Sequence, residues 1–190
     1  TRRSSDLELD RKTGTTYWMD AIKKEMKNCH KTFKILLEGS RMSVGHTHIK
    51  CHLVFDVKHV SLERKARYVA GGHMTAAPAS ITYASVVSRE SVRIAFMLAA
   101  LNGLEVEAAD IGNAYLNAPT NEKIVITCGP EFGAEHEGRL AKIVRALYGL
   151  KGSGQAWRSH LAQVLREDEN LGFQMCKADN DVWFRPAVKA

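Results

Sequence analysis

Apolar residues recur four apart in the first patterned stretch of this chain. In TYWMDAIKKEMKN, Trp18, Ile22 and Met26 form one stripe with lysines opposite, which predicts a helix. HIKCHLVFDVK then alternates and reads as a strand. SLERKARYVAGGH follows as a charged turn feeding a second strand that stops at Gly71 and Gly72, a hairpin-like unit. SRESVRIAFMLAALNG has Val92, Ala95, Phe96, Ala99 and Ala100 on one face, with Ser88 as cap and Asn102–Gly103 as stop, so a helix is expected. LEVEAADI alternates strictly and sets Leu104, Val106, Ala108 and Asp110 on one face of a strand. KIVITCG and RLAKIVRAL read as two more strands. SGQAWRSHLAQVLREDEN reads as a helix with Ala156, Trp157, His160, Leu161 and Val164 as its stripe. GFQMC and DVWFRP are short closing strands. Acids in REDENLGF oppose the dipole at that last helix's C-terminus and are expected to shorten it. Residues 1–14 are polar, show no period and read as a loose lead-in. No internal repeat appears. The sum is an α+β fold, a mostly antiparallel sheet packed on helices.

Composition narrows this only a little. With 190 residues the chain can form one domain with a proper core, or one piece of something larger. Its 27 Lys+Arg against 21 Asp+Glu give a net charge of +6, which favours an anionic partner without naming it. Cys29, Cys51, Cys128 and Cys176 are scattered without a CxxC pair, so neither a disulfide framework nor a zinc ribbon is indicated and a reducing compartment fits. Nothing resembles a signal peptide, and the longest apolar stretch, IAFMLAAL, is too short to span a membrane, so no membrane partner is expected. A first residue that is Thr and an abrupt end at PAVKA lead to the expectation of a fragment of a longer polypeptide.

Four stretches carry candidate chemistry. Asp110 ends its expected strand and Gly112 lets the chain bend after it, so the carboxylate can face a hard divalent cation. Alone, such an Asp is more often a cap or an arginine's partner, and one carboxylate holds Mg²⁺ poorly because that ion needs further oxygen ligands. ERKAR puts Arg64, Lys65 and Arg67 near a turn, where cations are usually just solvated. LYGLKGSGQAW is a Gly-rich turn into a helix start, whose free N–H groups favour phosphate. GHTHIKCH offers His46, His48, Cys51 and His52 to zinc, yet on a strand the three histidines share one face and Cys51 points away. A histidine-rich exposed side is the better reading, with a zinc-dependent binding module as the weaker option.

Taken together, LEVEAADIGNAYLNAPTNEKI and the RALYGLKGSGQAW that follows resemble the reverse transcriptase of Ty1/copia-type LTR retrotransposons. RKARYVAGGHMT, TYASVVSRESVRIAFMLAALNGLEVEAAD and KADNDVWFRP fall in that family's order, so the likeness covers roughly residues 17–186. The resemblance implies the fingers-and-palm part of a right-hand polymerase, with about 15–87 fingers-like and 88–190 mainly palm-like. It implies RNA-directed DNA synthesis from dNTPs with two Mg²⁺ ions in the intact parent, the metals activating the primer 3′-hydroxyl and stabilising the leaving pyrophosphate. Asp110 matches the first catalytic aspartate, and the carbonyl of Ile111 a further metal ligand. By the same match Gly112, Asn113 and Ala114 would line the floor under the incoming nucleotide, and Tyr115 matches the aromatic that in the family stacks under the deoxyribose and excludes a 2′-hydroxyl. Lys65 and Arg67 would clamp the triphosphate, although Gly71 stands where the family often has Arg. Tyr148, Gly149, Lys151, Gly152 and Ser153 would face template and primer, with Lys151 the best template-phosphate candidate.

Two further aspartates of the family belong to a YVDD-like hairpin expected after DVWFRP, and the sequence stops before it. Asp179 and Asp181 match the approach to that hairpin and do not replace it. An isolated chain is therefore expected to be inactive. The implied partners are template-primer, dNTP and the rest of a polyprotein with integrase and RNase H. The implied setting is intracellular, in a cytoplasmic particle and the nucleus. The alternative is a non-catalytic nucleic-acid-binding remnant of a decayed element.

Overall fold

Where the sequence shows no period, the chain forms a helix, α1 (Arg2–Thr13), in a computed structural model that describes residues 2–75, 84–168 and 171–186. This replaces the loose lead-in, and its cause is tertiary. The buried Asp10 carboxylate accepts hydrogen bonds from the backbone N–H of Trp18 and of Met19, both at 3.0 Å. Those are first-turn donors of α2 (Tyr17–Cys29) that otherwise have no partner. The expected stripe of α2 is present: Trp18 and Ile22 are buried and Met26 packs on the core.

Strand β1 (Phe33–Ile35), which no alternation announced, pairs antiparallel with β6 (Leu140–Ile143). HIKCHLVFDVK is two strands rather than one. β2 (Thr47–His48) joins β5 (Ile124–Thr127) in parallel, while β3 (Cys51–Val57) leaves for a second sheet. Ile49, buried between them, is the pivot; its N–H goes to Val125 O at 3.0 Å, and Lys50 O accepts from Gly71 N at 2.9 Å. β3 and β4 (Arg64–Ala70) form the expected hairpin, with Leu53 opposite Tyr68 and Val54 opposite Arg67.

Helix α3 (Arg89–Asn102) has both expected ends: the Ser88 hydroxyl accepts from Ser91 N at 3.0 Å, and Gly103 takes a left-handed φ of 61°. Its expected buried face is not buried. Only Ala99 is sealed from solvent, and Phe96 is 56% exposed. The strand expected over LEVEAADI is likewise absent, and residues 104–112 are exposed without regular structure. A strand exists only through a hydrogen-bonding neighbour, and this segment has none among the described residues beyond Leu104 N to Ala99 O, which closes the helix.

The short α4 (Ala114–Asn117) leads to β5 (Ile124–Thr127) and β6 (Leu140–Ile143), which pair antiparallel and complete a sheet of order β1-β6-β5-β2. α5 (Ser153–Glu167) ends earlier than its pattern suggested; Asn170 and the residue before it, the end of the expected helix, lie outside the described residues. β7 (Gln174–Met175) and β8 (Trp183–Phe184) form a small antiparallel hairpin. The result is a mixed α/β chain rich in antiparallel pairing.

Two compact units are present. One is drawn from Thr1–Thr82 and Asn113–Trp157, the other from Tyr83–Gly112 and Arg158–Ala190. The first holds the main core, in which Ile22, Ile49, Tyr68, Ile126, Ala141 and Leu147 pack with Cys29 and Cys128. Phe33, Tyr68 and Phe132 add three edge-to-face ring contacts at 5.1–5.8 Å.

Candidate nucleotide and nucleic-acid site

Alternation along β4 divides its side chains. Ala66, Tyr68 and Ala70 enter the core, and Lys65, Arg67 and Val69 stand on the other face. The free edge of this strand is satisfied in two unlike ways. The N–H of Tyr68 reaches the buried carboxylate of Glu25 at 2.9 Å, and the N–H of Ala70 reaches Tyr148 O at 2.7 Å. The second bond brings the LYGLKG turn onto the hairpin. Gly149, at φ 90°, lies so close that a Cβ there would strike Ala70 O, and a Cβ on Gly72 would strike Gly149 O.

This docking puts Tyr148 beside the basic strand. Burial raises the Tyr148 phenol above its ordinary pKa, and the charge of Arg67 works against that shift. Tyr148 also touches Tyr115 across 5.1 Å between ring centroids at a 53° tilt. Tyr115 owes its place to α4, which is pinned by the buried Leu116 and entered through Asn113 in a left-handed conformation, φ 53° and ψ 38°, which Asn tolerates better than most residues. Ala114 follows, half-buried. The structure thus gathers Arg67, Tyr115, Tyr148 and Gly149 within one unit, with Lys65 across the hairpin from Asp56.

The remaining residues behave differently. Arg67 Nη1 lies 3.9 Å from Asp56 Oδ2, an exposed pair that leaves it available. Arg64 is engaged: its guanidinium sits 5.5 Å over the Trp18 ring and donates to Leu62 O at 2.7 Å. Lys151 Nζ donates to Thr75 O at 2.5 Å from an exposed position. Gly152 and Ser153 do not offer a phosphate cradle. Glu122 Oε1 already accepts from Gly152 N at 3.0 Å, so a carboxylate occupies the anion position at the start of α5. Ser153 is buried, with its hydroxyl donating to Leu147 O at 2.7 Å and accepting from Leu147 N at 3.1 Å. It ties the turn together. No short-range pattern flagged Glu122, because it acts 30 residues away.

Asp110 and Ile111 stand in the other unit, both exposed in the irregular segment after α3. Two other acids of that unit have structural work. Asp179 accepts from Ser88 N at 3.0 Å, Ser91 Oγ at 2.6 Å and Asp181 N at 3.0 Å, which hold its carboxyl well below the usual range. Asp181 pairs with Arg158 at 2.8 Å. Among the described residues no three His, Cys, Asp or Glu gather as a metal site, so His46, His48, Cys51 and His52 form no zinc cluster, and Asp110 by itself does not fit the pair of divalent ions that the resemblance implies. His48 Nε2 instead meets Thr127 Oγ1 at 2.9 Å. Burial raises the thiols of Cys29, Cys128 and Cys51, the last to about 12, so they stay protonated and unreactive.

The chain is thus a mixed α/β protein rich in antiparallel pairing that lays a basic strand beside paired tyrosines. In comparison with known proteins, the family described as Reverse transcriptase (RNA-dependent DNA polymerase) matches residues 31–188. The retrovirus-related Pol polyprotein from transposon TNT 1-94 of Nicotiana tabacum is 31% identical over 150 residues, covering 73% of this chain and 11% of the tobacco protein. That from transposon RE1 of Arabidopsis thaliana is 29% identical over 144 residues, 72% of this chain and 10% of its own length. No solved structure matches. The chain belongs to the reverse transcriptase family, in its Ty1/copia retrotransposon branch, and spans about a tenth of the length of these curated relatives.

Proposed function

We propose that this chain is the fingers and part of the palm of an RNA-directed DNA polymerase within a retrotransposon polyprotein, and that its first unit meets the incoming deoxynucleotide and the template-primer. The observation that carries the reading is the Tyr115–Tyr148 pair held beside the Arg67 strand by the Ala70–Tyr148 hydrogen bond. A flat ring under the sugar leaves no room for a 2′-hydroxyl, and cations on a hairpin suit a triphosphate. In this reading Tyr115 is the sugar wall, Lys65 and Arg67 contact the phosphates, and Asn113 and Ala114 form the floor beneath the nucleotide. Tyr148, Gly149 and Lys151 border the template. Gly152 and Ser153 support that border rather than touch the ligand. A polymerase must accept every sequence, so its contacts fall on the sugar-phosphate backbone and weaken steeply with salt.

Asp110 is the metal-binding carboxylate of this piece, with the carbonyl of Ile111 beside it. When bound, Mg²⁺ would supply charge stabilisation for nucleotidyl transfer. The described residues do not assemble its site alone, and in this reading the chain works together with the integrase and RNase H parts of such a polyprotein. The complete protein would work inside the cell, in a cytoplasmic particle and the nucleus.

Equilibrium binding of dNTP and rNTP to the chain with template-primer tests the reading. A preference for dNTP that Tyr115→Ala abolishes is the expected result; equal affinity in the parent chain would defeat it. The 190-residue chain is expected to extend no primer with Mg²⁺ present, and Mg²⁺-dependent incorporation would show that it carries a complete site.

A further inference from the structure

One row of residues crosses the four-stranded sheet on the side away from the core. Lys34 lies opposite Lys142, Lys142 opposite Val125, and Val125 opposite His48. Of the alternate positions, Ala141, Ile143, Ile124 and Ile126 belong to the core cluster and Phe33 and Ile35 pack against it, which fixes the direction in which the row points. Lys123, one residue ahead of β5, shares the alternate set of Val125, and its carbonyl accepts from Thr47 N at 2.8 Å, so it continues the ladder. Lys34, Lys123 and His48 are exposed, Lys142 is half-buried, and Val125 is buried although it stands outside the core cluster.

Like charges directly opposite each other on paired strands are destabilising. Here Lys34 and Lys142 face one another, and neither they nor Lys123 form an ion pair with a carboxylate among the described residues. Elsewhere in the same unit Lys24 and Lys58 both bind Glu63 and hold its carboxyl down to about 2, while Lys23, Lys27, Lys31 and Lys50 also lack a carboxylate partner among the described residues. What is particular to this face is that two such lysines stand directly opposite each other on paired strands, with a third on the same alternate set. Its cations spread across strands spaced about 4.8 Å apart instead of converging on one point, a layout suited to an extended polyanion rather than a single ion.

We propose that the outer face of the β1-β6-β5-β2 sheet, through Lys34, Lys123 and Lys142, is a second contact surface for the nucleic-acid backbone, on a different sheet from the Lys65–Arg67 hairpin. The proposal rests on the reading of the chain as part of a nucleic-acid-copying enzyme. Repulsion between Lys34 and Lys142 is a cost to folding that a bound phosphate backbone relieves.

The test is a salt titration of binding to a mixed-sequence DNA duplex, followed by anisotropy, for the parent chain, a Lys34→Gln/Lys142→Gln variant and a Lys65→Gln/Arg67→Gln variant. The first variant is expected to bind several-fold more weakly, with the slope of log affinity against log salt reduced by about 0.9 for each lysine replaced, close to about 1.8 in total. Its melting temperature should equal or exceed that of the parent, because a repulsion has been removed. An unchanged slope overturns the proposal. If only the Lys65/Arg67 variant lowers the slope, the second surface fails and the hairpin reading stands; if only the Lys34/Lys142 variant does, the proposal stands and the hairpin reading fails. Equal loss of binding to poly-glutamate would assign the face to an acidic protein and overturn it as well.

Discussion

Gly149 shows how a single atom sets the geometry of the candidate site. The Tyr148 carbonyl reaches Ala70 N–H only because no side chain stands between the turn and β4, and Gly149 also adopts a φ of 90° that other residues resist. Gly149→Ala is expected to cost more than about 2 kcal/mol, because a backbone collision adds to the conformational strain. It should also separate the Tyr115–Tyr148 pair, which near-ultraviolet circular dichroism or ring-proton NMR would register together with the loss in denaturant midpoint. Gly112 gives the contrast. Nothing lies within 4 Å of a Cβ built there and its φ is not left-handed, so Gly112→Ala should fold with a stability within about 0.5 kcal/mol of the parent. If the two substitutions cost the same, the close approach does not hold the turn in place.

Elements were legible in the sequence to the extent that their stabilising partners are local. The stripe of α2, the Ser88 and Gly103 ends of α3, the β3–β4 hairpin and the separate strands β5 and β6 all follow from short-range pattern. What stayed hidden depends on distant groups: α1 is held by Asp10 at the start of α2, and β1 by an edge of β6. LEVEAADI fails in the opposite sense, since its alternation is plain but no described strand pairs with it. Motif singled out Lys65, Arg67 and Tyr115, which the structure places in one unit, whereas the blocking of α5's start by Glu122 needed coordinates. Asp179 makes this dependence measurable. Two of its three hydrogen bonds join the KADND turn to the start of α3, and all three favour the ionised carboxylate, which lowers its pKa relative to the unfolded chain. Stability from this group is present above the unfolded value of about 3.9 and is lost as pH falls through the lower folded value. Asp179→Asn should remove that part of the acid sensitivity and loosen the first turn of α3 at neutral pH. Amide exchange at Ser88 and Ser91 reports the second effect, and an unchanged acid profile in the variant would exclude Asp179 as its source.

At the scale of the whole molecule, apolar burial is shared unequally. Of the buried apolar residues described, Ala99 alone belongs to the unit formed by Tyr83–Gly112 and Arg158–Ala190; all the others belong to the unit containing β1 through β6. The smaller unit instead exposes Ile94, Phe96, Met97, Leu98 and Leu101 on α3, then Leu104 and Val106 beyond it, each at 50% or more. Burial of apolar surface is the main force opposing chain entropy, at about 25 cal/mol per Å². A unit lacking it must open at a lower free energy than its neighbour. Denaturant unfolding of the chain is therefore expected in two steps, with amides of α3 and β7–β8 exchanging well before those of β3–β6. A hydrophobic dye should bind the native chain through the exposed α3 residues, and Phe96→Ser with Leu101→Ser should lower that binding while leaving the second transition in place. One cooperative transition with uniform protection would instead mean that the smaller unit draws its stability from something other than its own buried surface.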